Sequence, residues 1–355
     1  MRLLFATTVT HLPDGVGGIK VSIDALIRRL IDRGVAVAVS CAMQRASANP
    51  CDAAAGLSMD EILGYPVYRA FAPIGAFRVI LDDWRPDIVV VANRGEDVPL
   101  AALALDRGLA LAFYAHSAML RDISTLLVER PGFRWLANSA FTANRLRTVL
   151  GVAAPVVPLV VEPDRYRVDR SIGADGLPGD SVLMVNPTVL KGAERFFALA
   201  EALPHVTFRA IESWDLDPAW RMVLVNRAAR LGNVQLWPAN DDMREAFAGA
   251  RLILMPSAHE ETFGRVIAEA QLSGIPALAS DRGALPETVG PGGRILPLDS
   301  ETGDWVEALD LIWRDPAHNA ALSAAALRHA ARPELDPMRV TEAFLGIMHG
   351  LLGEN

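Results

Sequence analysis

Lysine is nearly missing from this 355-residue chain: only Lys20 and Lys191 occur, and arginine supplies the rest of the 34 basic side chains. A composition that uses arginine wherever arginine serves leaves its lysines where a compact ammonium is needed rather than a broad guanidinium. Cysteine is as scarce. Cys41 and Cys51 form neither a disulfide framework nor a zinc spacing, and they point to a reducing, cytoplasmic compartment. No apolar run reaches membrane-spanning length, since Leu100–Ala115 is broken by Asp106 and Arg107. The opening Met1-Arg2-Leu3-Leu4-Phe5-Ala6 is too short for a signal-peptide core and reads as a buried strand. Positive charge is not in excess either, because the formal net charge is −8. Residues 1–165 carry 17 basic and 16 acidic side chains, residues 166–355 carry 17 and 26. The acidic second half argues against a nucleic-acid partner and against strong binding to an anionic membrane, while a peripheral membrane contact through a local basic patch stays open. There is no solenoid repeat and no Gly-x-Ser-x-Gly elbow.

What remains is a globular composition, 51% hydrophobic and 21% charged, long enough for two domains. The pattern predicts strands at Leu3–Thr7, Val35–Ser40, Val67–Ala70, Ile88–Val91, Ala110–Tyr114 and Phe133–Ala137, with helices at 19–32, 76–84, 98–107 and 140–150. Residues 43–64 read as irregular, and Val156–Pro163 as a strand leading into a connector. Strands follow at Val182–Val185, Val206–Ala210, Asn233–Trp237, Leu252–Met255 and Ala277–Ala279, with helices at 192–203, 308–332 and 338–352. Strand and helix alternation of this kind predicts an α/β fold with mostly parallel sheets covered on both faces. The domain boundary is placed near residue 165, giving domains over 1–165 and 166–337 and a last segment over 338–355.

The chemistry concentrates in residues 259–274. The strand Leu252–Met255 is broken by Pro256-Ser257, and an acidic loop then enters a helix whose first turn is predicted to be Thr262-Phe263-Gly264. The first N–H groups of a helix lack intrahelical partners and attract anions such as a diphosphate. Gly264 has no Cβ, so a ligand could approach its backbone. Glu261 lies before the helix and Glu269 about two turns inside it; carboxylates beside a phosphate make sense as acceptors of sugar hydroxyls. The implied ligand is a nucleoside-diphosphate sugar. The same spacing fits a plainer account, in which Phe263, Val266, Ile267 and Ala270 are a buried stripe and Arg265 with Glu269 a solvated i,i+4 ion pair.

Pro256-Ser257, Glu261 and Glu269 around Phe263-Gly264, Ser273-Gly274-Ile275-Pro276, Ser280-Asp281-Arg282-Gly283 and Pro286-Glu287 follow one another without a gap. In this order they resemble the nucleotide-sugar half of the family-4-like retaining glycosyltransferases, the group 1 glycosyltransferases. Weaker resemblance extends over nearly the whole chain. It implies the GT-B fold: two Rossmann-like, doubly wound domains facing across a cleft, the first binding the acceptor and the second the nucleotide sugar, with the last helix crossing back to the first domain.

The implied activity is metal-independent transfer of a sugar from a nucleoside diphosphate, UDP favoured, to a hydroxyl acceptor such as a polysaccharide, lipid or natural product, with no cofactor besides the co-substrate. By resemblance Lys191 in the Lys191-Gly192 loop reaches the diphosphate, Thr262, Phe263, Gly264 and Arg265 cradle it, Glu269 holds the ribose and Glu261 the donor sugar, with Glu287 a weaker candidate. Gly17 and Gly18 lie beside the transferred sugar, and His116, at a strand end, projects toward it. The family's usual phosphate-binding arginine is here Asn186, a departure that Arg265 could offset. Lys20 could face a phosphate, an acceptor or simply solvent. Ser139 suits a helix N-cap as well as a site, and the Asp215-Leu216-Asp217 string, ahead of Pro218, reads as a helix start rather than a metal motif. The alternatives are a nucleotide-sugar-binding protein without transfer activity and, from the doubly wound pattern alone, an NAD-dependent dehydrogenase.

Overall fold

The structure, a computed structural model, describes residues 1–15, 17–44, 56–93, 95–119, 132–212, 216–240 and 242–353. Val16, Cys51, Asp215 and the 45–55 part of the segment read as irregular lie outside them. The described chain forms two compact units, Met1–Val160 with Asp336–Asn355, and Val161–Leu335.

In unit 1 the elements run β1 (Arg2–Thr10), α1 (Gly18–Ile31), β2 (Ala36–Ala42), β3 (Leu57–Asp60), β4 (Val67–Ala70), α2 (Pro73–Trp84), β5 (Ile88–Asn93), α3 (Val98–Asp106), β6 (Ala110–Ala115), β7 (Phe133–Ala137) and α4 (Ala140–Leu150). Their sheet has the order β3-β4-β2-β1-β5-β6-β7, parallel except for β3, which pairs antiparallel with β4 at the edge. The segment expected to be irregular therefore contains a strand. Its four residues are only partly buried, too short and too mixed to stand out as a pattern. Val156–Pro163, expected as a strand, makes only a single bridge from Val156 to Ala137. Pro158 and Pro163 supply no N–H for a ladder.

Alternation along the strands explains the double burial. Leu3 and Phe5 face one apolar cluster, Leu4 and Ala6 the other; Ile88 and Val90 divide from Val89 and Val91 in the same way. Strands with two buried faces read as continuous apolar runs, which is why they were legible.

Unit 2 begins with α5 (Pro163–Tyr166) and continues through β8 (Ser181–Val185), α6 (Ala193–Ala202), β9 (Thr207–Ile211), α7 (Pro218–Leu231), β10 (Val234–Trp237), α8 (Arg244–Ala248), β11 (Ala250–Met255), α9 (Arg265–Gln271), β12 (Ala277–Ser280), α10 (Leu285–Val289), β13 (Gly293–Leu296), α11 (Thr302–Arg314) and α12 (Pro316–Ala330). The sheet order is β10-β9-β8-β11-β12-β13, and every neighbouring pair is parallel. Strand β13, carrying Gly293 and Arg294, was not foreseen. The single helix expected over 308–332 is two, divided where Asp315 caps α12 and Pro316 opens it.

The final helix, α13 (Pro337–Gly353), belongs to unit 1. Val340, Phe344, Met348 and Leu351 recur at helical spacing and enter the cluster of Leu3 and Phe5. The Phe344 ring stacks on Phe5 with centroids 6.0 Å apart and approaches Tyr114 at 6.5 Å. Phe344→Ala is expected to cost unit 1 about 3–5 kcal/mol in urea denaturation. Leu352→Ala, on the exposed side of the same helix, should stay within about 0.5 kcal/mol.

Candidate functional site

In unit 2 the strand order reverses between β8 and β11, since the chain proceeds outward to β9 on one side and to β12 on the other. Ligands of doubly wound sheets bind beyond the carboxyl ends of strands at such a point. The two loops leaving these ends are 186–192 and 256–264, and they touch. Ala258 donates its N–H to the Leu190 carbonyl at 2.9 Å. Gly192 sits in the left-handed region, φ +88°, where a Cβ would lie 2.1 Å from the Pro256 carbonyl oxygen. Only glycine fits there.

The side chains follow from that contact. Lys191 Nζ donates to Glu261 Oε1 at 2.5 Å, Ser257 Oγ donates to the same oxygen at 2.7 Å, and His259 Nε2 stands 3.4 Å from it. The other His259 nitrogen lies 3.1 Å from the Leu190 carbonyl. Burial opposes the charge on Glu261, but Lys191, His259 and the Ser257 hydroxyl outweigh it and hold the carboxyl below its ordinary value. Behind Glu261, Gly283 comes so close that a Cβ would meet the Glu261 carbonyl oxygen at 2.1 Å, and Ala284 N–H bonds that oxygen. Ser280, ending β12, donates to the Ser257 carbonyl at 2.7 Å. Three strand ends thus fix one carboxylate and one ammonium.

Downstream the structure corrects several expectations. Helix α9 starts at Arg265, not Thr262, because Gly264 takes a left-handed turn, φ +79°, as its N-cap. Thr262, Phe263 and Gly264 precede the helix, and Glu269 lies one turn inside it. The missing Cβ of Gly264 faces Leu285 and Thr288, so the left-handed turn and the packing already require the glycine. Phe263 is buried, and its carbonyl accepts from the Thr288 hydroxyl. Arg265 and Glu269 pair at 2.6 Å, as i,i+4 spacing allows, but both are buried rather than solvated. The Glu269 carboxylate opposes burial and keeps Arg265 firmly charged. Arg265 Nη2 also donates to the Tyr166 hydroxyl at 2.9 Å. The guanidinium is thus engaged, and a phosphate would have to compete for it. Asn186, the first residue beyond β8, has φ +58°, a conformation asparagine tolerates better than most residues. Glu287 is half-buried on α10, its carbonyl facing His329 Nε2 at 3.0 Å.

The unit 1 candidates are separate in kind. Gly17 caps α1 with extended backbone and open space around its missing Cβ, and Gly18 begins the helix. Lys20 donates to Thr10 Oγ1 at 2.8 Å across Gly15, whose own Cβ would strike the ammonium. His116 follows β6, its ring 4.1 Å from that of Tyr114; burial lowers its pKa to about 3, so it is neutral at physiological pH. Ser139 caps α4, accepting from Thr142 N–H at 3.0 Å. Asp217 caps α7, accepting from Ala219 and Trp220 N–H groups at 3.0 Å, which gives the acidic string its helix-start role.

His259 and Tyr166 were not foreseen as parts of the site. His259 lay in the motif run but had no spacing rule to mark it. Tyr166 is 99 residues from Arg265, and no local pattern reports such a contact.

Comparison with known proteins extends the picture. Residues 16–165 match the family model described as Glycosyltransferase Family 4, and residues 198–315 match Glycosyl transferases group 1. The chain is similar to the D-inositol 3-phosphate glycosyltransferase of Nocardia farcinica, 30% identical over 272 residues, covering 70% of this chain and 58% of that one. The protein of the same description from Actinosynnema mirum is 31% identical over 274 residues, covering 68% and 64%. The chain thus spans little more than half the length of these relatives. Among solved structures, sucrose-phosphate synthase from Thermosynechococcus elongatus superposes with a TM-score of 0.78 at 15% identity, covering all of both chains. Anabaena HepE, solved with UDP and glucose, superposes with 0.76 at 19% identity, covering 98% and 99%. Identity this low speaks for the fold, that of two-domain GT-B proteins.

Two outcomes test the site's construction. Gly192→Ala should lower the melting temperature of unit 2 sharply, whereas Gly17→Ala, with open space and ordinary φ, should leave unit 1 nearly unchanged. Lys191→Met leaves Glu261 buried without its ammonium, a loss of about 3–5 kcal/mol at neutral pH. The depressed Glu261 pKa contributes stability above the ordinary carboxylate value and loses it as pH falls through the folded value. The gap between wild type and Lys191→Met in chemical denaturation should therefore narrow from neutral pH toward pH ~3.

Proposed function

Because the chain belongs to the group 1 glycosyltransferases, we propose that it transfers a sugar from a nucleoside diphosphate, UDP favoured, to a hydroxyl acceptor, with retention at the anomeric carbon. The observation that carries this reading is the Lys191–Glu261 pair at the strand-order reversal of unit 2. An ammonium there can take a diphosphate, and a desolvated carboxylate kept ionised can accept hydrogen bonds from sugar hydroxyls. Lys191 would neutralise the charge that grows on the departing diphosphate. The backbone N–H groups around Gly264 and Arg265 would add donors where α9 starts. Glu269 would hold the ribose.

Neutral His116 suits a hydrogen-bonding role toward the sugar and not that of a cation; Gly17 and Gly18 would lie on the sugar side. Transfer would need no divalent cation, since Lys191 supplies the positive charge. The relatives' description makes an inositol phosphate one acceptor to try beside polysaccharide, lipid and natural-product hydroxyls. Cytoplasmic action fits the scarcity of cysteine, and no described helix is long and apolar enough to cross a membrane.

A second reading, donor binding without transfer, draws on Asn186 at the expected cation position and on the engagement of Arg265 by Glu269 and Tyr166. One experiment separates the two. UDP at about 100 times its dissociation constant should stabilise the protein by roughly 2.7 kcal/mol, read as a thermal shift that Lys191→Met abolishes. UDP-sugar should then be consumed, in EDTA, by slow hydrolysis or transfer. A shift without turnover on any acceptor favours the binding protein; no shift with UDP or GDP overturns both.

A further inference from the structure

Arg265 bridges Tyr166 and Glu269 inside unit 2. Arg265 donates to Glu269 Oε1 through Nε at 2.6 Å and to the Tyr166 hydroxyl through Nη2 at 2.9 Å. The Tyr166 hydroxyl is thus an acceptor for Arg265, whose guanidinium holds both side chains. All three residues are at most 8% exposed. The Tyr166 backbone is held as well, because Ser273 Oγ donates to its carbonyl and accepts from Val168 N–H at 2.9 Å.

Stability alone does not explain such an arrangement. Apolar residues of similar volume often replace a buried ion pair with no loss or with a gain. What Arg265 does supply is one orientation of the carboxylate and a charge that opposes the burial raising the Glu269 pKa. Without Arg265, burial at this depth would favour the neutral carboxyl, which carries a donor where an acceptor is wanted. One guanidinium donor on Glu269 Oε1 leaves acceptor capacity on the carboxylate for a vicinal diol.

We propose that Tyr166 and Arg265 are positioning residues that aim Glu269 at the ribose hydroxyls of the donor nucleotide, so that the tyrosine ending α5 governs the preference for ribose over deoxyribose. The proposal rests on the nucleotide-sugar reading of the site.

The test measures affinities for UDP and for 2′-deoxy-UDP by titration calorimetry in the full chain. Hydrogen bonds to a charged group predict that wild type prefers UDP by about 10- to 100-fold. Tyr166→Phe and Arg265→Leu should weaken UDP while leaving 2′-deoxy-UDP almost unchanged, so the ratio falls toward one; Arg265→Lys should restore part of it. Tyr166→Phe removes a single hydroxyl and carries the test if Arg265→Leu does not fold. Equal weakening of both nucleotides in these variants, or an unchanged ratio, assigns the Tyr166–Arg265–Glu269 bridge to stability and overturns the proposal while the donor site stands. A wild type that binds no UDP, or a ratio that Glu269→Gln does not move, overturns the donor-site reading itself and the proposal with it.

Discussion

The approach of two backbones beyond β8 and β11 is the constraint on which the site depends. Gly192 lies against the Pro256 carbonyl at a distance no side chain permits, and Ala258 closes the contact through Leu190. This juxtaposition lets Lys191 and Glu261, 70 positions apart, share a hydrogen bond. It also brings Ser257 and His259 to the same carboxylate oxygen. Gly283 repeats the device from the other side, packing on the Glu261 backbone. A carboxylate this buried is tolerable only because its partners are fixed before any ligand arrives.

Arginine performs the structural work that its abundance suggests. Arg69 is fully buried between Asp14 and Asp60 and donates to the Leu12 carbonyl. Arg251 pairs with Asp175, donates to the Gly179 carbonyl and covers the Trp313 ring. Arg170 donates to the carbonyls of Gly274 and Pro178. Each uses the planar fork to satisfy several acceptors at once, which a point-like ammonium cannot do from one position. Arg265 belongs to this class, with one difference: the carboxylate it holds lies on the first helix beyond β11.

Much of the fold was legible because parallel strands buried on both faces announce themselves as apolar runs between glycine and proline breaks. Phe133–Ala137 and Ala140–Leu150 occur with the expected bounds. What escaped was decided elsewhere in the chain. Strand β3 exists because β4 offers an edge, and β13 because β12 does; neither has a pattern strong enough to stand alone. The start of α9 was misplaced because Gly264 makes a left-handed turn against Leu285 and Thr288 before the helix begins. At the site, Lys191, Glu261, Arg265 and Glu269 could be named from the scarcity of lysine, the expected helix start and the family resemblance. Their partnerships could not, since spacing could not tell a solvated Arg265–Glu269 pair from a buried one, and Tyr166 enters from a distant connector.

The retention of lysine at 191 in so arginine-rich a chain has a physical reason if the proposed donor binds there. In the free protein the ammonium is committed to Glu261; with a diphosphate present it would face a second anion. A guanidinium set as a fork on Glu261 would lose both of its hydrogen bonds on turning away. An ammonium on a flexible four-carbon stem carries three donors and can point one at each anion. Ser257 and His259 would remain on Glu261 as Lys191 divides its donors, so the carboxylate need not be left buried and alone. The scarcity of lysine and the crowding of partners around Glu261 are then two sides of one requirement: a cation able to move between anions, and a carboxylate that survives the move.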